Sequence, residues 1–195
     1  MTLLVATTNP GKLREILPLL ADTRARLVTL ADLPAIPEPD ESGATFWENA
    51  RLKALAYSRA AGMPTVAEDS GLVIDALAGE PGVRSARFLG TDATYPERFA
   101  EIFRRVRDVP GAPHTARFVT ALAVADGESL IFETETRIEG VLAPAPAGAH
   151  GFGYDPIFLY PPFGKTTGEL TLRQKAAVSH RARAFRDLRR ALFSS

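Results

Sequence analysis

The side chains able to do chemistry in this sequence fall into short, separated segments. Thr7-Thr8-Asn9-Pro10-Gly11-Lys12 lies between an apolar run and a helical pattern, and offers hydroxyls, backbone amides and one ammonium that could converge on an anion such as phosphate. The GxxxxGK[ST] spacing of a Walker loop is absent, and Asn9-Pro10-Gly11 would serve equally well as a plain helix cap and breaker. Glu41 sits in an irregular stretch rich in proline and acid, and Asp69 precedes Ser70 and Gly71. Two carboxylates from separate segments are what a magnesium ion needs when phosphate oxygens and waters fill its other positions. Glu38, Asp40 and Asp75 read as solvated acids. Asp69 differs from them, because an acid at the end of a buried strand needs a partner to offset its desolvation. Glu68 should point to the opposite side of the extended chain and support Asp69 from behind.

Lys53 lies two turns beyond Thr45 on a helical pattern; it reads as an ordinary surface lysine or as a cation leaning toward phosphates. Gly151-Phe152-Gly153-Tyr154-Asp155-Pro156 sets two rings and an acid among glycines that allow tight turns. It is either a packed aromatic turn or a loop that stacks a base on a ring while Asp155 reads the edge of that base. Lys175, Ser179, His180 and Arg181 share the start of a closing helix, with Lys175 and Ser179 on one face, and make either a basic surface or a nucleotide grip. Ser179-His180 has no matched acid or nucleophile elbow, which argues against a serine-hydrolase triad. Together these segments describe a site for a nucleoside phosphate.

The elements that must position these residues follow from periodicity. Leu3 to Ala6 reads as a buried strand, followed by a helix carrying Leu13, Ile16, Leu17 and Leu20, and a second strand lies around Arg26 to Leu30. Thr45 to Glu48 has the form of a capping box opening a helix to Ala61, which Gly62 and Pro64 end. Thr65 to Ala67 is expected to be a strand that delivers Glu68 to Gly71 at its tip, with Leu72 to Ile74 resuming an extended course. Thr94 and Glu97 open another helix to about Arg107, Asp126-Gly127 joins two long strands as a hairpin, and one helix from Leu172 to Leu192 closes the chain. Interleaved strands and helices with a hairpin predict a three-layer α/β fold on a mixed sheet, in residues 1–195 as a single domain.

The composition narrows the chemistry further. The 23 basic and 23 acidic residues cancel, so the chain lacks the global positive field of a nucleic-acid binder. Without cysteine there is no disulfide, thiolate nucleophile or thiolate metal site, which leaves oxygen and imidazole ligands and a hard cation as their guest. No apolar run approaches the ~20 residues of a membrane span and no secretory leader is visible, so a cytoplasmic protein is expected.

In order along the chain, Thr7 to Lys12, Thr45-Phe46-Trp47-Glu48-Asn49-Ala50, Glu68-Asp69-Ser70-Gly71-Leu72, Pro81 to Arg87, Gly151 to Pro156 and Ser179-His180-Arg181 resemble the inosine triphosphate pyrophosphatase family, a resemblance that runs from Leu4 to about Ala191. It implies a homodimeric α/β enzyme with two lobes around a nucleotide cleft, which converts inosine, deoxyinosine and xanthosine triphosphates to monophosphate and pyrophosphate. It further implies magnesium, with manganese as a substitute, held by Glu41 and Asp69, with Asp69 also the proton acceptor. Thr7, Thr8, Asn9, Pro10, Gly11, Lys12, Lys53 and Ser70 would then hold the triphosphate end, and Phe152, Gly153, Tyr154, Asp155, Lys175, His180 and Arg181 would complete the nucleotide site. Glu68 stands where an aspartate is usual, Ala176 where asparagine often follows the lysine, and Gly168 where alanine is common. The rival readings are a Maf-type pyrophosphatase for modified pyrimidines, whose serine-rich, arginine-bearing loop is not matched by Thr7 to Lys12, and a non-catalytic nucleotide sensor.

Overall fold

The computed structural model describes residues 1–111 and 113–193. Its strands are β1 (Thr2–Val5), β2 (Arg26–Thr29), β3 (Thr65–Ile74), β4 (Thr115–Asp126), β5 (Ser129–Leu142), β6 (Phe158–Tyr160) and β7 (Lys165–Thr166). They form one sheet in the order β2-β1-β3-β4-β5-β6-β7. β1 runs parallel to β2 and β3, β5–β6 and β6–β7 are antiparallel, and the link at Gly127 between β4 and β5 is too short for anything but an antiparallel pair. With helices α1 (Pro10–Leu20), α2 (Phe46–Ala61), α3 (Tyr95–Arg107), α4 (Leu172–Val178) and α5 (His180–Phe193), this is the mixed-sheet α/β class expected from the sequence. Among the described residues no helix is long and apolar enough to cross a membrane.

The chain divides into two compact units, the first made of Met1–Asp69, Thr120–Thr136 and His180–Ser195, the second of Ser70–Val119 and Arg137–Ser179. In the first unit the two-residue repeat of a strand sorts side chains to opposite faces. Leu3, Val5, Val66, Leu122 and Val124 pack with Ile16 and Leu20 of α1 and with Ala184, Phe185 and Leu188 of α5. The alternate residues Leu4, Ala6, Ala67, Ala121, Ala123 and Ala125 pack with Ala50, Ala54 and Tyr57 of α2. Small alanines on both sides of that second contact let α2 lie close to the strands. The second unit is built on Leu72, Ile74, Phe118, Ile138 and Phe158 against Phe99, Ile102 and Val106, which recur at helical spacing on α3.

Two sequence expectations are corrected by this fold. β3 does not stop at Ala67; it runs without interruption to Ile74, so Glu68 and Asp69 lie within it. Gly71 does not break the strand but fits it to a neighbour, since a Cβ there would meet Ser85 Oγ at 2.3 Å and the Gly82 carbonyl at 2.5 Å. The closing helix is two helices, because Ser179 is extended (φ −64°, ψ 154°) and caps α4 before His180 opens α5. Lys175 and Ser179 therefore do not share one continuous helix with His180 and Arg181: the first two belong to the second unit, where Ser179 caps α4, and the last two open α5 in the first.

Candidate active site

The first unit places its chemistry where β1 ends. β1 pairs with β3 only at Leu4–Thr65 and Val5–Val66, so the residues of β3 beyond this point emerge past the carboxyl end of β1, the usual position of ligands in α/β sheets. The alternation that sorts the core also sorts the acids. Glu68 follows Val66 onto the α1 and α5 side, and Asp69 follows Ala67 onto the α2 side.

On the α2 side, Thr45 accepts from the amide of Glu48 while Glu48 accepts from the amides of Ala44 at 2.6 Å and Thr45 at 3.2 Å, the capping box read from the sequence. This start fixes the phase of the helix and turns Asn49 and Lys53, one turn apart, inward. The Lys53 ammonium lies 2.6 Å from a Glu41 oxygen and 3.5 Å from an Asp69 oxygen, with its side chain 8% exposed. Lys53 is thus a buried, ion-paired cation and not a surface lysine. Burial alone would lower its pKa, but the charges of Asp69 and Glu41 outweigh that and raise it. Asn49, fully buried, donates to the other Asp69 oxygen at 3.0 Å.

On the opposite side, Arg181 in the first turn of α5 donates to Glu68 and to Glu15 of α1, each at 2.6 Å, and all three are buried. Thr136 ties down the start of α5 by donating to the His180 carbonyl at 2.6 Å. Lys12 completes the chain of charges, 3.6 Å from Glu68. Burial would raise the Glu68 carboxyl, but Arg181 and Lys12 overcome this and hold it well below the usual carboxylate range. The Lys12 ammonium is pushed down, first by burial and then by Lys53 and Arg181, with Glu68 and Asp69 opposing. Glu15 carries no mark of its own in the sequence, although its place three residues after Lys12 puts the pair on one helical face.

The loop from Thr7 to Lys12 resolves in part to its plainer reading. Asn9 is the N-cap of α1, accepting from the amides of Gly11 at 2.8 Å and Lys12 at 3.2 Å, and Thr7 Oγ accepts from the Asn9 amide at 3.2 Å. The amides of Gly11 and Lys12 are therefore already bonded within the chain. What the segment presents for an anion is the hydroxyls of Thr7 and exposed Thr8 and the Lys12 ammonium.

In the second unit, Asp155 is the hub of the aromatic loop. It accepts from the Phe152 amide at 2.7 Å and the Thr167 hydroxyl at 2.8 Å, and forms a buried ion pair with Lys175. Thr167, fully buried, carries no signal in the sequence as a partner of this acid. The two rings of the loop part company. Tyr154 is the packed aromatic, donating to the Ser85 carbonyl at 2.8 Å and meeting Tyr95 edge-on at 5.3 Å, and burial pushes its hydroxyl pKa up. Phe152 is only half-buried, with the Lys175 ammonium 5.1 Å from its ring centre. Ser70 is the first residue of this unit and half-buried.

Among the described residues, no three His, Asp or Glu side chains cluster as a self-sufficient metal cage. Glu41 and Asp69 nevertheless converge on one cation, the Lys53 ammonium, and a pair of hard oxygen donors fits a magnesium ion that takes its remaining ligands from phosphate and water.

Buried carboxylates within β3, just past the carboxyl end of β1 and flanked by cations and a capped helix, suit an α/β protein that handles phosphorylated small molecules. Its family is narrower: the chain belongs to the Ham1 family, whose pattern matches residues 3–191. It is 48% identical over 190 residues to a dITP/XTP pyrophosphatase of Thermus thermophilus, covering 96% of this chain and 90% of the relative. With the dITP/XTP pyrophosphatase of Geobacillus kaustophilus it shares 45% over 186 residues, 95% of this chain and 91% of the relative. Among solved structures, the HAM1 protein of Coxiella burnetii superposes with a TM-score of 0.89 at 34% identity, over 96% of each chain.

Proposed function

We propose that this chain hydrolyses non-canonical purine nucleoside triphosphates, namely inosine, deoxyinosine and xanthosine triphosphates, to the nucleoside monophosphate and pyrophosphate, and so cleanses the nucleotide pool. The observation that carries this reading is the convergence of Glu41 and Asp69 on the Lys53 ammonium, with Lys12 held by Glu68, the residue next to Asp69. Glu41 and Asp69 are the residues that would hold magnesium, or manganese in its place. A bound divalent ion supplies charge neutralisation to phosphate oxygens and to the departing pyrophosphate.

The chain's own residues do the rest. Asp69 orients a water and takes its proton as the oxygen attacks the phosphorus nearest the nucleoside; the bond from that phosphorus to the bridging oxygen breaks, and pyrophosphate leaves. Lys12 and Lys53 stabilise the charge gathering on the leaving group. Thr7, Thr8 and Ser70 supply hydroxyls to the phosphates, with Asn9, Pro10 and Gly11 shaping the loop that presents them. Arg181 fixes Glu68, which in turn faces Lys12, and His180 lies beside it at the start of α5. In the second unit Phe152 offers a ring to the base, while Gly153, Tyr154, Asp155 and Lys175 hold that loop in shape.

Inosine and xanthosine carry a carbonyl at the six position where adenosine carries an amine, so backbone donors matched to the carbonyl are left unpaired by adenosine. Each buried unpaired donor costs about 1–3 kcal/mol. Pyrophosphate release with magnesium should therefore be at least about tenfold more efficient, as kcat/KM, for inosine than for adenosine triphosphate. Equal rates defeat the base assignment, faster cleavage of modified pyrimidines favours a Maf-type enzyme, and no release at all leaves a nucleotide sensor. The reaction suits the cytoplasm. The family resemblance carries the expectation of a homodimer, checked by a light-scattering mass near twice the 21.0 kDa of one chain.

A further inference from the structure

The proposed reaction requires two acids from separate segments to meet at one ion, yet Glu41 sits in a stretch without regular structure. What fixes its backbone is therefore as important to the site as the acid itself. The structure holds this stretch at its end nearest the helix through consecutive amides. Gly43 N donates to Asn49 Oδ1 at 2.8 Å, and the amides of Ala44 and Thr45 donate to Glu48. Gly43 lies two residues past Glu41 and approaches so closely that a Cβ there would meet Asn49 Oδ1 at 2.7 Å. The same Asn49 side chain uses its other end on Asp69, donating from Nδ2 to Oδ2 at 3.0 Å.

One fully buried amide thus bridges the segment that bears one acid and the strand that bears the other. At neutral pH a primary amide offers a donor and an acceptor on one short planar group, where an ionised carboxylate offers acceptors alone. Aspartate keeps the acceptor and loses the donor, glutamine is a methylene too long, and leucine loses both. A buried asparagine satisfied by backbone alone would be a packing residue. This one spends its donor on a carboxylate of the site.

We propose that Asn49 is the positioning residue that sets the separation and orientation of the Glu41 and Asp69 carboxylates, and thereby the affinity of this chain for a divalent cation. The proposal rests on reading those two acids as one cation site. Groups that orient metal ligands typically change affinity by about 10–100-fold when replaced. In Asn49→Asp the Gly43 amide keeps its acceptor while a carboxylate oxygen faces Asp69 in place of the amide nitrogen, so the bridge breaks at one end only.

The test measures Mn2+ binding by electron paramagnetic resonance on the full chain, on Glu41→Gln and on Asn49→Asp, with circular dichroism reporting folding. The expected result is Mn2+ binding by the unaltered chain that weakens in Glu41→Gln and weakens at least about tenfold in folded Asn49→Asp. With inosine triphosphate, high Mn2+ should restore more of the kcat of Asn49→Asp than of Glu41→Gln. If the unaltered chain does not bind Mn2+, or Glu41→Gln binds it equally well, the shared-site reading itself fails. If Glu41→Gln weakens binding and folded Asn49→Asp does not, only the role given to Asn49 is overturned. Should Asn49→Asp not fold, Asn49→Ala decides: folded with weakened Mn2+ binding it supports the proposal, folded with unchanged binding it overturns it, and failure of both variants to fold assigns Asn49 to stability alone and overturns it too.

Discussion

The two units handle buried charge in opposite ways. In the first, two groups lie on opposite faces of β3: Arg181 and Lys12 with Glu68 and Glu15 on one, and Lys53 with Glu41 and Asp69 on the other. In the second, one cation meets one acid, Lys175 with Asp155, and the Phe152 amide and Thr167 hydroxyl also bond to that acid. A balanced pair with its remaining oxygens occupied is a device for shaping a loop. One ammonium shared between two acids, as Lys53 is between Glu41 and Asp69, is the arrangement that the proposed cation site would use. The contrast teaches that burial of charge alone does not mark a candidate site; what distinguishes the first unit is one cation shared by acids from two separate segments.

The comparison can be broken by removing one member from each unit. Glu68→Gln leaves Arg181 and Lys12 without their shared carboxylate and should destabilise the first unit by about 3–5 kcal/mol, read by urea unfolding with Trp47, the sole tryptophan, as reporter. Acid should produce the same loss by degrees. The Glu68 carboxyl is held below its ordinary value of 4.5, so its contribution is complete above about pH 4.5 and declines as pH falls toward the lowered value. Tyr154 carries the opposite sign in the second unit: burial raises its hydroxyl above 10.0, so its contribution is present below about pH 10 and is lost as pH climbs through the raised value. An acid titration of Trp47 fluorescence and an alkaline titration of tyrosine absorbance check the two directions.

Asp155→Asn keeps one oxygen for hydrogen bonding but removes the charge facing Lys175, and should cost the second unit an amount at the lower end of about 3–5 kcal/mol, less than Glu68→Gln, which takes a carboxylate from two cations. Near-ultraviolet circular dichroism of the tyrosines measures it. The smallest effect is expected at the exposed rim of the first unit, where Glu48→Ala removes an acceptor for the Ala44 and Thr45 amides and should cost about 0.5–2 kcal/mol in thermal unfolding.

Much of the first unit was legible because its signals are local. The capping box at Thr45, the strand before Thr7 and the hairpin turn at Asp126-Gly127 each need only a few adjacent residues to declare themselves. The break at Ser179 was not legible, because no glycine or proline marks it and the extended conformation arises only in the folded chain. The unbroken course of β3 was hidden for the converse reason, since Ser70-Gly71 looks like a stop and Gly71 is required instead by the nearness of Ser85. Among the site residues, Glu41, Asp69 and Lys53 could be named because charged types stand out and because the family resemblance pointed to them. Asn49 and Glu15 could not, since their partners lie 20 and 166 residues away in sequence. Their only local trace is helical phase, Asn49 one turn before Lys53 and Glu15 one turn after Lys12.

The most direct measurement is pyrophosphate released from inosine triphosphate as a function of magnesium concentration, by the unaltered chain, Glu41→Gln and Asp69→Asn. Both variants should remain folded and lose turnover, Asp69→Asn by about 10²–10⁴-fold at every magnesium concentration, as expected when a general base is removed, and Glu41→Gln with a raised magnesium requirement. Near-normal release by folded Asp69→Asn, or a magnesium dependence unchanged in Glu41→Gln, would contradict the account.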